Sequence, residues 1–221
     1  IISRITGEKD TDVTIGVYRQ GVENIIQLTM TRKVIDNTTV SSTVFTTDDG
    51  KSIGYIEVTT FGDETSELFH NEIVNLEEQG IDGLIVDLRN NGGGHLYTVY
   101  NMLNEFLVDN GSEMFSTESY QNGSFVRTEY DATNTIRKDY EIVTLVNENS
   151  ASASEVFASS MQEQGDYTVI GTTTFGKGTM QIDSSLKTTE GDSVHLTIGK
   201  WITADGNWVH YDGGTGGVVP D

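Results

Sequence analysis

Apolar and polar positions divide the chain into short elements whose period changes from two to about 3.6 and back. Gly83-Leu84-Ile85-Val86-Asp87-Leu88 is a continuous apolar run, the pattern of a strand buried on both faces, and it runs into Arg89-Asn90-Asn91-Gly92-Gly93-Gly94. Leu96, Val99, Tyr100, Leu103 and Phe106 then recur at helical spacing. A second apolar run, Ile142-Val143-Thr144-Leu145-Val146, ends in the polar turn Asn147-Glu148-Asn149. It is followed by a helical pattern on Val156, Phe157, Ala158 and Met161. Thr65 to Gln79 reads as an amphipathic helix on Leu68, Phe69, Ile73 and Leu76, closed by Gly80.

Strands are predicted at Thr43 to Phe45 and Ile53 to Val58, with Asp48-Asp49-Gly50 as the turn between them. Others are predicted at Tyr167 to Gly171, Thr179 to Ile182 and Ser193 to Trp201. Met114 to Tyr130 alternates around Asn122-Gly123 and reads as a hairpin. At the N-terminus, IISRITGEKDT reads as the end of a helix. Two strands follow, VTIGVYR and IIQLTMTRKVI, joined at Gln20-Gly21.

This pattern places Ser152 between a strand and a helix. A serine there sits at the positive end of the helix dipole, where free backbone N–H groups can hold a developing oxyanion. Its hydroxyl needs a base, and the candidate is Lys177 in Phe175-Gly176-Lys177-Gly178-Thr179-Met180-Gln181. A free lysine, with a pKa near 10.4, is protonated at neutral pH, so the role requires burial that disfavours its charge. Phe175 and Met180 are the expected source of that burial. If Thr179 to Ile182 is a strand, Lys177 and Gln181 are an even number of residues apart and share a face, so Gln181 is expected to orient the lysine.

Asn147-x-x-Ser150-Ala151-Ser152-Ala153-Ser154-Glu155, followed by Thr174-Phe175-Gly176-Lys177-Gly178-x-x-Gln181, resembles the C-terminal processing peptidases, or tail-specific proteases. The resemblance implies a serine endopeptidase with Ser152 as nucleophile, Lys177 as general base and Gln181 as the partner of the lysine. Asp87-Leu88-Arg89-x-Asn91-x-Gly93-Gly94 is similar to the family's oxyanion loop, which points to the Gly93 and Ala153 N–H groups as donors. Glycine suits that place because no Cβ blocks the approach of a backbone amide. Two departures stand out. Gly92 replaces a proline or small residue, and His95 stands where the family usually has an apolar residue.

The resemblance further implies an α/β fold, a ClpP/crotonase-like core of repeated strand-strand-helix units. Residues 1–35, a helix and two strands, would be a partial PDZ domain, and residues 36–221 the protease core with a cap-like hairpin around 112–131. It implies protein or peptide substrates with an extended C-terminus, an extracytoplasmic location, and no cofactor or metal. It leaves a homo-oligomer open.

Composition narrows the alternatives. A net charge of −21, from 34 acidic and 13 basic residues, disfavours nucleic acid and anionic membranes as partners. There is no cysteine, and hence no disulfide, thiolate nucleophile or thiolate zinc site. No apolar run is long enough to span a membrane. The chain opens on Ile1-Ile2-Ser3-Arg4, without Met or a signal pattern, and reads as an internal fragment.

Gly171-x-x-x-x-Gly176-Lys177-Gly178 approaches a phosphate-binding loop. However, Gly178 stands where Ser or Thr is required, and a strand, not a helix, is expected to follow. His95, beside the glycine loop, is an alternative base for Ser152. His70 and His210 read as polar surface positions, and His195 as pointing away from the core face of its strand. A peptide-binding module that keeps this fold without hydrolysis is the reading from another class.

Overall fold

The computed structural model describes residues 2–34, 38–121, 123–186, 192–213 and 216–221. Ile1, Ile35 and Asn122, which the sequence reading uses, lie outside the described residues. The chain divides into two compact units, Ile1–Thr38 and Thr39–Asp221.

In the first unit, α1 (Ile2–Ile5) precedes an antiparallel pair, β1 (Asp12–Val17) and β2 (Ile26–Thr31). The helix ends at Ile5, shorter than the sequence pattern suggests, and the chain turns toward β1 at Asp10, which has a positive φ of 64°. Arg32 ties the pieces together. Its guanidinium donates to the carbonyls of Ile5 and Asp12 and to the Thr11 hydroxyl, at 2.8, 3.0 and 2.8 Å.

The second unit is built on a five-stranded sheet in the order β3-β4-β5-β8-β9. The hairpin of β3 (Val40–Thr46) and β4 (Ser52–Val58) is antiparallel. From β4 onward, β5 (Gly83–Asp87), β8 (Glu141–Val146) and β9 (Thr168–Gly171) run parallel. The parallel strands are joined through α2 (Thr65–Glu78), α3 (Leu96–Leu103) and α4 (Ala153–Glu163). The apolar run of β5 is explained by its place between β4 and β8. Phe106, expected on α3, follows the end of that helix but is fully buried, edge-on to Phe69 and Phe157.

A second sheet, in the order β10-β11-β6-β7, is wholly antiparallel. It joins the hairpin of β6 (Glu113–Gln121) and β7 (Ser124–Asp131) to β10 (Thr179–Ser185) and β11 (Ser193–Thr203). Helix α4 touches β8 and β9 of one sheet and β6 and β11 of the other. Every residue from Ala153 to Met161 is accordingly buried, polar ones included. A helix buried on all sides suits the small residues Ala153, Ser154, Ala158, Ser159 and Ser160, which let neighbouring backbones approach.

Candidate active site

The loops that leave the carboxyl ends of the adjacent parallel strands β5 and β8 meet, at the end of an α/β sheet where sites commonly form. The Ser150 hydroxyl donates to the Leu88 carbonyl at 2.7 Å. The Ala151 N–H and the Ser154 hydroxyl both donate to the Asn91 carbonyl, at 3.0 and 2.8 Å. Asn91 is itself buried and reaches Val58 O through Nδ2 at 2.8 Å.

Two of the three glycines of the first loop are sterically required. A Cβ on Gly93 would lie 2.7 Å from Ala151 O and 2.8 Å from Ser152 Cβ. One on Gly94 would lie 2.2 Å from Phe61 O. Both also have positive φ, 102° and 149°.

Ser152 caps α4 with φ 57° and ψ −114°, a conformation that costs a non-glycine residue about 1–3 kcal/mol and is found where the surroundings over-determine it. Glu155 supplies much of that constraint. Its side chain is fully buried and takes four hydrogen bonds. Oε2 accepts from the N–H of Ser152 at 2.7 Å and of Lys177 at 2.8 Å. Oε1 accepts from the Thr174 hydroxyl and the Gly176 N–H, both at 2.6 Å.

The Lys177 loop is held from its other side by both tryptophans. Trp201 Nε1 donates to Lys177 O at 2.9 Å and Trp208 Nε1 to Gly178 O at 2.8 Å. His210 Nδ1 accepts from the Gly178 N–H at 3.3 Å while its ring stacks on Trp208, so it is a brace of this loop and not simply a polar surface residue. Strand β10 follows the loop, and the phosphate-loop pattern around Lys177 therefore lacks the helix it would need.

Ser152, Ala153, Lys177 and Gln181 line one cavity of about 370 Å³, with Gly92, Gly94, His95 and His195 at its edges. Leu96, Val156, Ile198 and Trp201 give it an apolar wall. Among the described residues no hydrogen bond joins Ser152 Oγ to the Lys177 amine.

Three details differ from the sequence reading. Phe175 is 60% exposed, where the sequence reading expects it to be packed over Lys177. Gln181 Nε2 donates to Thr197 Oγ1 at 3.4 Å, and among the described residues no hydrogen bond joins Gln181 to the lysine amine. Lys177 precedes the strand, so strand parity does not apply to it, and a bulge on β11 shifts the register between Met180 and Gln181. Third, the Gly93 N–H donates to Asn91 Oδ1 at 2.9 Å, while the Ala153 N–H, in the first turn of α4, has no acceptor among the described residues.

The other three histidines carry carboxylate partners. His95 Nε2 lies 3.3 Å from Asp63 Oδ1 and its ring stacks on Tyr97. His195 Nδ1 lies 2.7 Å from Asp183 Oδ1, and His70 Nδ1 2.8 Å from Glu105 Oε1. Beneath the glycine loop, Arg89 and Tyr55 hydrogen-bond to Asp87. Burial alone would raise the Asp87 pKa, but those bonds and the guanidinium charge outweigh it and hold the carboxyl below the usual range.

The residues missed from sequence are Glu155, Asn91 and the two indole braces. Asn91 stands in the loop motif without an assigned role, and Glu155 had a readable signal of its own, since Ser152-x-x-Glu155 is the capping-box spacing at a helix start.

Comparison with known proteins places this arrangement. The chain is 34% identical over 215 residues to the carboxy-terminal processing protease CtpB of Bacillus subtilis, and 37% identical over 212 residues to CtpA of the same organism. Each alignment covers 96% of this chain and 43% of the relative, so the chain spans less than half the length of these curated relatives. Among solved structures, the photosystem II D1 C-terminal processing protease superposes with a TM-score of 0.69 at 29% identity. That match covers 97% of this chain and 56% of the other. The sequence pattern of Peptidase family S41 matches residues 52–221, and the chain belongs to that family.

Proposed function

We propose that this chain carries the catalytic core of a serine endopeptidase that cuts proteins or peptides near an unstructured C-terminus. The observation that carries the reading is Ser152 on its constrained turn, sharing a cavity with Lys177 while both backbones hang from Glu155. Relatives named for carboxy-terminal processing support the substrate class.

In this mechanism Ser152 Oγ attacks the scissile carbonyl and its proton passes to the Lys177 amine. The tetrahedral oxyanion is held by the Ala153 N–H, with the Gly93 N–H as second donor once that peptide rotates away from Asn91. Lys177 then gives the proton to the leaving amine as the carbon–nitrogen bond breaks, and water hydrolyses the acyl-enzyme. Gln181 would turn from Thr197 to orient the lysine during the cycle. No cofactor enters any of these steps.

The same reading takes the second unit as a ClpP/crotonase-like core, residues 1–35 as the end of a PDZ domain, and the β6–β7 hairpin as a cap. It takes the protein to act outside the cytoplasm on an extended strand, read mainly through its backbone. A second reading has one observation in its favour: His95 lines the cavity and pairs with Asp63, as the base of a Ser/His enzyme would.

Digestion of an unstructured protein, followed by mass spectrometry, separates the two. Loss of cleavage in both Ser152→Ala and Lys177→Ala, with His95→Ala active, is the expected result. Cleavage that survives Lys177→Ala but not His95→Ala would overturn the Ser/Lys assignment. Peptide binding without any turnover would favour a non-hydrolytic module.

A further inference from the structure

Strand β7 ends the order β10-β11-β6-β7, and among the described residues nothing pairs with its outer edge. Every residue of β7 except the half-buried Tyr130 is exposed. A free edge is a row of unpaired N–H and C=O groups, which proteins commonly blunt with proline, lysine or a bulge on the edge strand. β7 carries neither proline nor lysine, and the register shift in the β6–β7 pair falls on β6, between Glu113 and Phe115.

The turn before β7 decides which groups point outward. Gln121 and Ser124 face each other across a two-residue loop, so they exchange both backbone hydrogen bonds. Alternate residues from there, Ser124, Val126, Thr128 and Tyr130, turn their N–H and C=O groups toward β6. Phe125, Arg127, Glu129 and Asp131 therefore present theirs to the open side.

An antiparallel partner must match outward groups to outward groups, which for a copy of β7 itself leaves registers centred on a single residue. Centring on Arg127 or on Glu129 sets like charges opposite each other, and centring on Val126 or Tyr130 shortens the overlap. Centring on Thr128 sets Arg127 of each copy against Glu129 of the other, and Val126 against Tyr130. Opposite charges and a β-branched residue facing an aromatic one are the pairs that favour strand association.

We infer that the β7 edge is a self-recognition surface, to which a second copy of this chain adds antiparallel about a two-fold axis at Thr128. Two four-stranded sheets thereby become one, through an interface that uses the same residues from both copies. Strand β11 of that sheet carries Ile198 and Trp201 of the Ser152 cavity, so the pairing joins the sheets that wall two such sites. The inference does not depend on the assignment of nucleophile and base.

The chain has no cysteine, so an introduced one is unique. On the axis the two Thr128 positions form a non-hydrogen-bonded pair with Cα atoms about 4.5 Å apart, within disulfide range, whereas the two Val126 positions lie about 14 Å apart. Under mild oxidation Thr128→Cys should become a covalent dimer at least about tenfold faster than Val126→Cys. Sedimentation equilibrium in about 0.15 M salt, which screens repulsion between two copies of charge −21, should show dimer formation by the unmodified protein. Arg127→Glu and Glu129→Arg should each weaken it about tenfold or more, and the double exchange should regain it, with thermal melts confirming that every variant is folded.

Cross-linking of Thr128→Cys no faster than that of Val126→Cys overturns the inference, as does a double exchange that fails to restore association. A protein that stays monomeric at about 0.2 mM overturns it too, and protection of the β7 amides from hydrogen exchange in that monomer would show another segment of the protein on the edge.

Discussion

The backbone N–H groups of Ser152 and Lys177 end on the same atom, Glu155 Oε2, at 2.7 and 2.8 Å. Residues from two loops, one leaving β8 and one entering β10, are thus set relative to one another by a carboxyl group that no solvent reaches. The candidate nucleophile and base depend on a third side chain that touches neither reacting group.

Replacing that side chain is expected to cost both stability and activity. Glu155→Gln keeps the shape but offers one accepting oxygen to four donors, so two donors lose their partner. The expected destabilisation is about 3 kcal/mol, from about 1.5 kcal/mol or more per lost charge-assisted bond. Urea denaturation measures the first effect and kcat the second. A Glu155→Gln protein of unchanged stability that still turns over normally would refute the role.

The glycine loop offers an internal contrast. Gly93→Ala puts a methyl group against the Ala151 carbonyl at a φ of 102°, and should destabilise by about 1–3 kcal/mol and abolish cleavage. Gly92→Ala meets no atom within 4 Å at an ordinary φ and should leave stability unchanged or slightly raised. Thermal melts of the two variants decide the matter, and equal behaviour would contradict the steric account.

Asp87 makes the fold sensitive to acid. Its folded-state pKa lies below the unfolded value, so its contribution is present above the unfolded pKa and is lost as pH falls through the folded one. The stability gap between the unmodified protein and Asp87→Asn should therefore be full above about pH 5 and shrink progressively below about pH 4. Denaturation midpoints across that range test this, and a gap that widens on acidification would show the sign to be wrong.

The two indoles that brace the Lys177 loop differ in burial, and their variants should differ accordingly. Trp201→Phe removes the donor to Lys177 O from a site only 1% exposed and should cost about 1–3 kcal/mol as well as activity. Trp208 is 46% exposed, so water can replace its bond to Gly178 O. Trp208→Phe should leave the melting temperature nearly unchanged while lowering kcat. Equal losses of stability in the two would argue against the distinction.

Periodicity and turn residues were enough to locate most elements. The spacing of Leu68, Phe69, Ile73 and Leu76 predicts α2, and Asp48-Asp49-Gly50 predicts the β3–β4 turn, because both signals are local. Local reasoning failed where the outcome depended on residues far away in the chain. The α1 helix ends at Ile5, well before the turn at Asp10 that leads into β1, and Phe175 stays exposed beside Tyr211 and Val219, which are distant from it in the chain.

By itself, then, the sequence determined the order of strands and helices, the turn that carries Ser152, and the need for glycine after β5. Each follows from side-chain size, period or permitted φ over a few residues. Only the tertiary structure decided that β6 pairs with β11, that α4 is enclosed by two sheets, and that Glu155 joins the serine and lysine loops. It also decided that Gly93 faces Asn91 and that Gln181 faces Thr197. Those outcomes depend on which buried donors find which acceptors once the chain is compact, and that competition has no local signature.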